Sequence, residues 1–519
     1  MKIERTKKTI SGSFWGMMEK ITRLVGPYIL RIIVLKRLGI DYLGLSGMFN
    51  SILHVLCLSE LGVGTAVVYY LYKPIAEDDQ EAICQILSYL RRLYFIIGSV
   101  VMLAGIIIMP FLPHLISGSV PADINLYLLY LIYLVHTALS YAMFAYKTSL
   151  LNAMQSNDVV SCIGFFVMVI LYGGQAAALY LTKNFYVYAF MLPITTALRA
   201  ILTSLYVDRH YPQFLQRARI TDQRRSEIKS KMLPLLSVKL NNMMMLSLDT
   251  IVITAAISLE MNAIYNNYYY VMSGVLGLLM VIYDSMLAGV GNSMVVESRD
   301  KVMNNFRKFS CINSWLITVC SAAMLCLYQP FIKLSFGKES LLTVDLVVMF
   351  VLCFYLTVMQ KIVALYKDAA GLWREDMVRM YVANFANIIL SIVLVRPFGL
   401  YGVIGASVLV YAISVPFLDK VLFKNFFHQP VGRYYLWEIR EVIVSVIVCA
   451  ACYFVTSYMP EGILGMLIRG VSVVAVSLIL LFAFYWHDAS YRQAIRWFIS
   501  KVLNFAAGLL KKFGIKLSH

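Results

Sequence analysis

Apolar stretches long enough to cross a bilayer recur from one end of this chain to the other, separated by short polar connections. A hydrocarbon core about 30 Å thick takes about 20 residues of α-helix, and a chain inside it must satisfy every backbone N–H and C=O within itself. Runs of that length fall at 10–34, 43–71, 91–115, 124–150, 159–182, 185–206, 230–257, 263–290, 307–331, 341–366, 378–395, 400–420, 439–458 and 464–486, which makes fourteen spans. The composition, 60% hydrophobic and 14% charged, excludes a disordered, collagenous or ordinary cytosolic protein. The expected class is an all-α polytopic membrane protein.

The net charge of +17 therefore reports topology before it reports partners, and it is no argument for nucleic acid. An even number of spans puts both termini on one side. The segments on that side hold 32 Lys and Arg, and the opposite side holds six, so both termini are expected in the cytoplasm. The basic N-terminus, with Lys2, Arg5, Lys7 and Lys8, is followed by an apolar stretch broken by Glu19, Lys20 and Arg23. It reads as a retained first span and not as a removed signal peptide.

The polar stretch Val207–Lys231 is dense in Arg and divides six spans from the next six. Lys183-Asn184-Phe185 before span 6 is echoed by Arg396-Pro397-Phe398 before span 12, a repeat of about 214 residues that keeps its orientation. The organisation expected is an N-terminal lobe at 1–206, a basic cytoplasmic linker at 207–229, a C-terminal lobe at 230–420, a loop with spans 13 and 14 at 421–486, and a cytoplasmic tail at 487–519. The pattern from Asp488 to Phe513 reads as an interfacial amphipathic helix.

The nine cysteines lie mostly in apolar runs and imply no disulfide framework. Cys449 and Cys452 form a CxxC without a second pair, which reads as packing, so no metal site is expected. His54 and His136 read as hydrogen-bonded core histidines. The glycines Gly62 and Gly64 beside Glu60, and Gly289 and Gly291 after Asp284, fall short of a dinucleotide fingerprint and read as close helix packing. There is no phosphate-binding GxxxxGK[ST] loop, so no ATPase is expected.

Charges inside spans carry the functional signal, because each costs about 2.5 to 3.5 kcal/mol at the centre of a lone helix. At 100° per residue Lys20, Arg23 and Arg31 fall within a sector of about 80°, with Glu19 about 40° beyond Arg23. Two readings stay open: the stripe lines a cavity for an anion, or Arg23 pairs with Glu19 four residues away while Lys20 and Arg31 reach to opposite interfaces. Arg199 in span 6 and Lys239 in span 7 are further cations for such a cavity, and Lys361 lies near the cytoplasmic end of span 10. Glu60, Asp249 and Asp284 are intramembrane carboxylates that pair structurally, couple a proton or sodium ion, or touch substrate.

Three stretches resemble a known family. Ser59-Glu60-Leu61-Gly62-Val63-Gly64-Thr65-Ala66-Val67, continuing to Tyr72-Lys73-Pro74-Ile75-Ala76, is similar to the second-helix and first-loop signature of bacterial polysaccharide repeat-unit flippases. Leu248-Asp249-Thr250-Ile251-Val252-Ile253 with Ile264-Tyr265-Asn266-Asn267-Tyr268 resembles their seventh and eighth helices. Tyr366-Lys367-Asp368-Ala369-Ala370-Gly371-Leu372-Trp373, then Asn387 and the glycines Gly399, Gly402 and Gly405, is the third match. Together these resemble the O-antigen and capsule branch of the multidrug/oligosaccharidyl-lipid/polysaccharide superfamily.

That resemblance implies two six-helix lobes around a central cavity plus two C-terminal helices, rocking between inward and outward access. It implies as cargo an undecaprenyl-diphosphate-linked oligosaccharide, with membrane lipids and a polysaccharide polymerase as partners, and neither enzymatic activity nor a cofactor beyond H+ or Na+ coupling. The cations expected to bind the diphosphate are Lys20, Arg23, Arg31, Arg199 and Lys239. The alternatives are a multidrug exporter of the sister branch, which favours an acidic cavity and usually twelve helices, and a membrane-integral glycosyltransferase or polymerase. The latter needs acids in a sizeable outward loop, and the longest here, Pro113–Asp123 and Gly337–Thr343, are short.

Overall fold

The computed structural model describes residues 5–56, 63–117, 120–222, 224–226, 228, 248–497 and 500, and the side chains of these except 5–11, 13, 63–69 and 288. Among the described residues there are helices and turns and no strand. Ten helices are long and apolar enough to cross a membrane, and the bent pair Leu126–Ala142 and Ala145–Ala153, at 47°, makes an eleventh. These eleven coincide one for one with the expected spans 3 to 6 and 8 to 14. Span 1 is a helix too, but its charges disqualify it from an apolar test. Residues 57–62 of span 2 and residues 229–247, which hold most of span 7, lie outside the described residues.

By its internal contacts the chain divides into two units, Met1–Asn266 with Ile392–Val403, and Asn267–Ser391 with Ile404–His519. The first unit begins with α1 (Arg5–Arg37) and α2 (Ile40–Leu56). Gly39 makes the corner between them at φ +117°, a backbone conformation that a side chain would strain. The amides of Leu38 and Gly39 donate to the Val34 carbonyl, which closes α1. Then follow α3 (Val63–Ala76), α4 (Gln80–Ile108), α5 (Leu126–Ala142), α6 (Ala145–Ala153), α7 (Asn157–Leu181), α8 (Phe185–His210) and α9, described over 248–256.

Polar residues stop and start these helices where the free amides need acceptors. Asn125 accepts from the amides of Tyr127 and Leu128 at the start of α5, and Asn184 does the same for Tyr186 and Val187 at α8. Asp79 caps α4 through the Ala82 amide at 2.9 Å. The core of this unit joins Leu45, Met48 and Phe49 of α2 to Leu90 of α4, Tyr130 and Leu134 of α5, and Leu150 of α6. The basic linker does not float: Arg224 bonds Gln85 at 2.9 Å and faces Asp79 at 3.5 Å, and the Ala218 amide donates to Ser88.

The second unit carries most of α10 (Leu259–Val296), then α11 (Arg299–Phe336), α12 (Val344–Met359), α13 (Lys361–Ala369), most of α14 (Trp373–Phe398) and of α15 (Leu400–Leu422), α16 (Gly432–Ser457) and α17 (Ile463–Tyr485). Within it α11 packs against α12, α16 and α17, around Cys311, Ala322, Cys326, Val448, Cys452 and Val473. Of the tail expected as an interfacial amphipathic helix from Asp488 to Phe513, residues 489–497 are helical and packed on the second unit, with Tyr491 stacked on Tyr485 at 3.9 Å and Trp497 edge-on to Phe309, and residues 498, 499 and 501–513 lie outside the described residues.

Outward faces are apolar. Val378, Val382, Phe385, Ile389 and Val393 recur at helical spacing on α14 and are all exposed, as are Phe95, Leu103 and Ile107 on α4. A soluble protein cannot present such continuous apolar faces to water, whereas a lipid tail is their natural solvent.

Candidate functional site in the first unit

The charges of α1 meet α7, which packs along α1, and α8, which packs along α7 and reaches α1 through Arg199. Glu19 sits between two guanidiniums: Arg23 Nη2 lies 2.9 Å from Glu19 Oε1, and Arg199 Nη2 of α8 lies 3.7 Å from the same oxygen. The carboxylate side chain is only 12% exposed, against 60% for Arg23 and 38% for Arg199. It is buried because α7 presents a glycine there: a Cβ on Gly164 would stand 2.6 Å from Glu19 Oε1. One turn of helix places Arg23 over Glu19, and the notch at Gly164 then lets a helix from elsewhere in the chain reach the pair.

One carboxylate thus serves two guanidiniums. Lys20 is exposed beside them, and Arg31 continues the stripe about 12 Å further along α1, half-buried near Tyr188 of α8. Tyr172 lies near Arg23 and packs on Gly26 of α1. The face is therefore cationic and edged with phenol hydroxyls, a donor-rich surface suited to oxyanions.

The sequence-predicted residues separate into groups. Arg23 and Arg199 come together through Glu19, and Lys20 and Arg31 share their helix, while Lys239 and Glu60 lie outside the described residues. Asp249 is buried and accepts from the Tyr265 hydroxyl at 3.2 Å. Asp284 is exposed on α10, within electrostatic reach of Lys361. The Arg23–Glu19 contact is the pairing that the second reading of the stripe required; the sharing with Arg199 was not visible in sequence, because helical phase says nothing about which helix lies opposite.

Other expectations resolve differently. His136 Nδ1 lies 2.7 Å from Thr196 Oγ1, as expected of a core histidine, but His54 is exposed. A Cβ on Gly289 or Gly291 would meet nothing within 4 Å, so close packing does not explain them; close approaches occur elsewhere, at Gly26, Gly44, Gly105, Gly164 and Gly174 among others. Cys449 and Cys452 are thiols, and Cys452 Sγ lies 3.3 Å from Ser477 Oγ, a packing contact between α16 and α17. In the second unit an apolar cavity of about 240 Å³ opens between α11, α12 and α16, lined by Leu325, Val348, Leu352, Val446 and Tyr453. Such a wall accepts any hydrocarbon chain and selects none.

The sequence missed a buried polar cluster in the second unit. Lys367 bonds Asp376 at 3.1 Å, Arg379 holds Asp376 with two nitrogens, and Glu441 accepts from Ser314, Tyr485 and Arg440. Asp419 and Glu438 are buried beside it. The signal was present in the spacing Tyr434, Glu438, Glu441, Ser445, a polar stripe at helical intervals that carries α16 back to Gly432, before the apolar run begins.

No family model and no curated protein matches the sequence. Solved structures do. The structure titled lipid II flippase MurJ in an inward closed conformation superposes with a TM-score of 0.69 at 15% identity, covering 91% of this chain and 98% of that one. An inward-facing multidrug resistance MATE family transporter of the MOP superfamily gives 0.60 at 14% identity, covering 80% and 99%. A structure of the MATE multidrug transporter DinF-BH gives 0.53 at 16% identity, covering 81% and 96%. Identities this low speak to architecture, and the architecture of this chain is the all-helical fold shared by these flippase and transporter structures.

Proposed function

We propose that this chain is a transporter that moves undecaprenyl-diphosphate-linked oligosaccharide repeat units across the bacterial cytoplasmic membrane by alternating access of two lobes, both termini being cytoplasmic. The observation that carries the reading is the charge surplus at the α1 face, where Arg23 and Arg199 share Glu19 and Lys20 stands exposed beside them. A lipid diphosphate supplies the missing negative charge, and guanidiniums can grip its oxygens bidentately. A lipophilic cationic drug is repelled by the same face, which speaks against the exporter alternative. One structural neighbour is named as a flippase of lipid II, a lipid-linked cargo, which agrees in chemical kind. The family resemblance at Ser59–Ala76 and Tyr366–Trp373 gives the oligosaccharide, and the reading assigns no catalytic step.

The test uses the purified full chain in nanodiscs. Undecaprenyl diphosphate is expected to raise the unfolding temperature in proportion to ln(1 + [L]/Kd), whereas tetraphenylphosphonium is not. Arg23→Ala should abolish the shift and Arg23→Lys reduce it. Stabilisation by the cation and not by the diphosphate would replace this reading with drug export. In cells, surface polysaccharide at matched membrane abundance should be lost in Arg23→Ala, and full rescue in the double variant with Glu19→Ala would remove Arg23 from the binding role.

A further inference from the structure

The structure assigns a second ligand site to this chain: Asp419 of α15 and Glu438 of α16 form a proton-binding pair that holds one proton between two buried carboxyl groups. Asp419 is fully buried and Glu438 nearly so, and each lies close enough to act directly on the other. Among the described residues neither Asp419 oxygen, nor Oε1 of Glu438, has a hydrogen-bond partner. Three acceptor atoms buried without a donor are what a missing hydrogen leaves behind. If one carboxyl is protonated, its O–H donates to the other, and two negative charges in contact become one.

No neighbouring cation removes that need. Arg379 of α14 is within electrostatic reach of Asp419, but its guanidinium is committed to both Asp376 oxygens and to Ser414. Other groups facing the pair add hydroxyls or more negative charge. They are Tyr434 and Tyr435 of α16, Tyr355 of α12, and Glu441, itself held by Arg440. The Tyr435 hydroxyl donates to the Pro416 carbonyl, pinning the start of α16 to α15 beside Asp419. A cavity of about 20 Å³, room for a single water, touches Glu438, Glu441 and Ser314.

A metal cation fits less well. Sodium gathers five or six oxygens, whereas the Tyr434 hydroxyl is already engaged with Ser310 and Glu438. The pair includes none of the carboxylates Glu60, Asp249 and Asp284 named from the sequence. It deepens the transport reading by giving a proton gradient a place to act. The proton itself is measured, so a failure of the cargo assignment leaves the site standing and the reverse also holds.

Infrared spectra of the full chain in lipid at pH 7 give the test, because ordinary carboxylates lack the carboxylic C=O band at that pH. The wild type should show such a band, falling about tenfold per unit above the midpoint of its titration. Asp419→Asn and Glu438→Gln should each remove it, since the new amide N–H donates where the proton stood. Replacing choline by sodium should leave the wild-type band unchanged, an arm that needs no variant to fold. No band at pH 7, a band that survives both substitutions, or a band displaced by sodium at neutral pH would each overturn the proposal.

Discussion

Glu19→Gln isolates the charge of the α1 site while keeping its shape. A unit-charge pair about 4 Å apart is worth about 1 kcal/mol in water and about 4 kcal/mol at an effective dielectric constant near 20. Glu19 is 12% exposed but its partners are 60% and 38% exposed, so the Arg23 contact belongs near the lower limit and the Arg199 contact somewhat above it. The substitution also leaves two guanidiniums facing each other, and the expected loss of stability is about 1 to 3 kcal/mol. Part of it returns when an anion binds. A recovery of about 1 kcal/mol corresponds to about fivefold tighter binding of undecaprenyl diphosphate than in the wild type. Denaturant unfolding in mixed micelles and a binding isotherm measure the two halves. A variant as stable as the wild type that binds the diphosphate no more tightly would refute the charge argument for Glu19.

Three further outcomes follow from the same structure. Gly164→Ala drives a methyl group to 2.6 Å from the Glu19 carboxylate and should lower stability by about 1 to 3 kcal/mol, an effect that Glu19→Ala in the same chain relieves; both are read from thermal unfolding. Lys147, whose side chain is 5% exposed, bonds Ser204 at 2.6 Å and Asp208 at 2.5 Å, so Lys147→Ala should cost about 2 to 4 kcal/mol and Lys147→Met less, because Asp208 is 45% exposed and can turn to water. A reporter fused after Arg217 should be active only in the cytoplasmic orientation, and an outward location would sink the charge-based topology.

The spans were legible because lipid imposes one rule on every segment, and eleven of the fourteen coincide with described helices long and apolar enough to cross a membrane, with α1 a twelfth helix. The break between α5 and α6 was not, since residues 143 and 144 are as apolar as their neighbours and the turn rests on Phe144 adopting φ +57°. The cations of α1 were found by phase alone. Arg199 could be listed as a cation but not paired, and Gly164 carried no signal at all, because a glycine in an apolar run looks the same whether it faces lipid or a carboxylate. Asp419 and Glu441 sat in the last and first turns of spans 12 and 13 and Glu438 just outside, among Lys420, Arg433 and Arg440, where hydropathy cannot tell a buried carboxylate from one at the membrane edge. Burial there comes from the docking of α16 and the 489–497 helix against α11, a tertiary fact with no local sequence marker.

The seam between α1 and α7 has a mechanical meaning. Gly12 and Gly16 give it a smooth stretch, where added methyls would touch only Asp158 and Ser161 at ordinary distances. Further along, Glu19 enters the notch at Gly164 and the Tyr172 ring enters the notch at Gly26, so the two helices are keyed in opposite directions, a knob from each seated in the other. Sliding either helix by one turn lifts both knobs from their seats at once. The pair therefore resists sliding as one unit, and the chain changes direction only where α1 ends, at the Gly39 corner. Crosslinking α1 to α7 should for that reason leave activity intact, while straining the corner with Gly39→Val, whose side chain opposes φ +117°, should not.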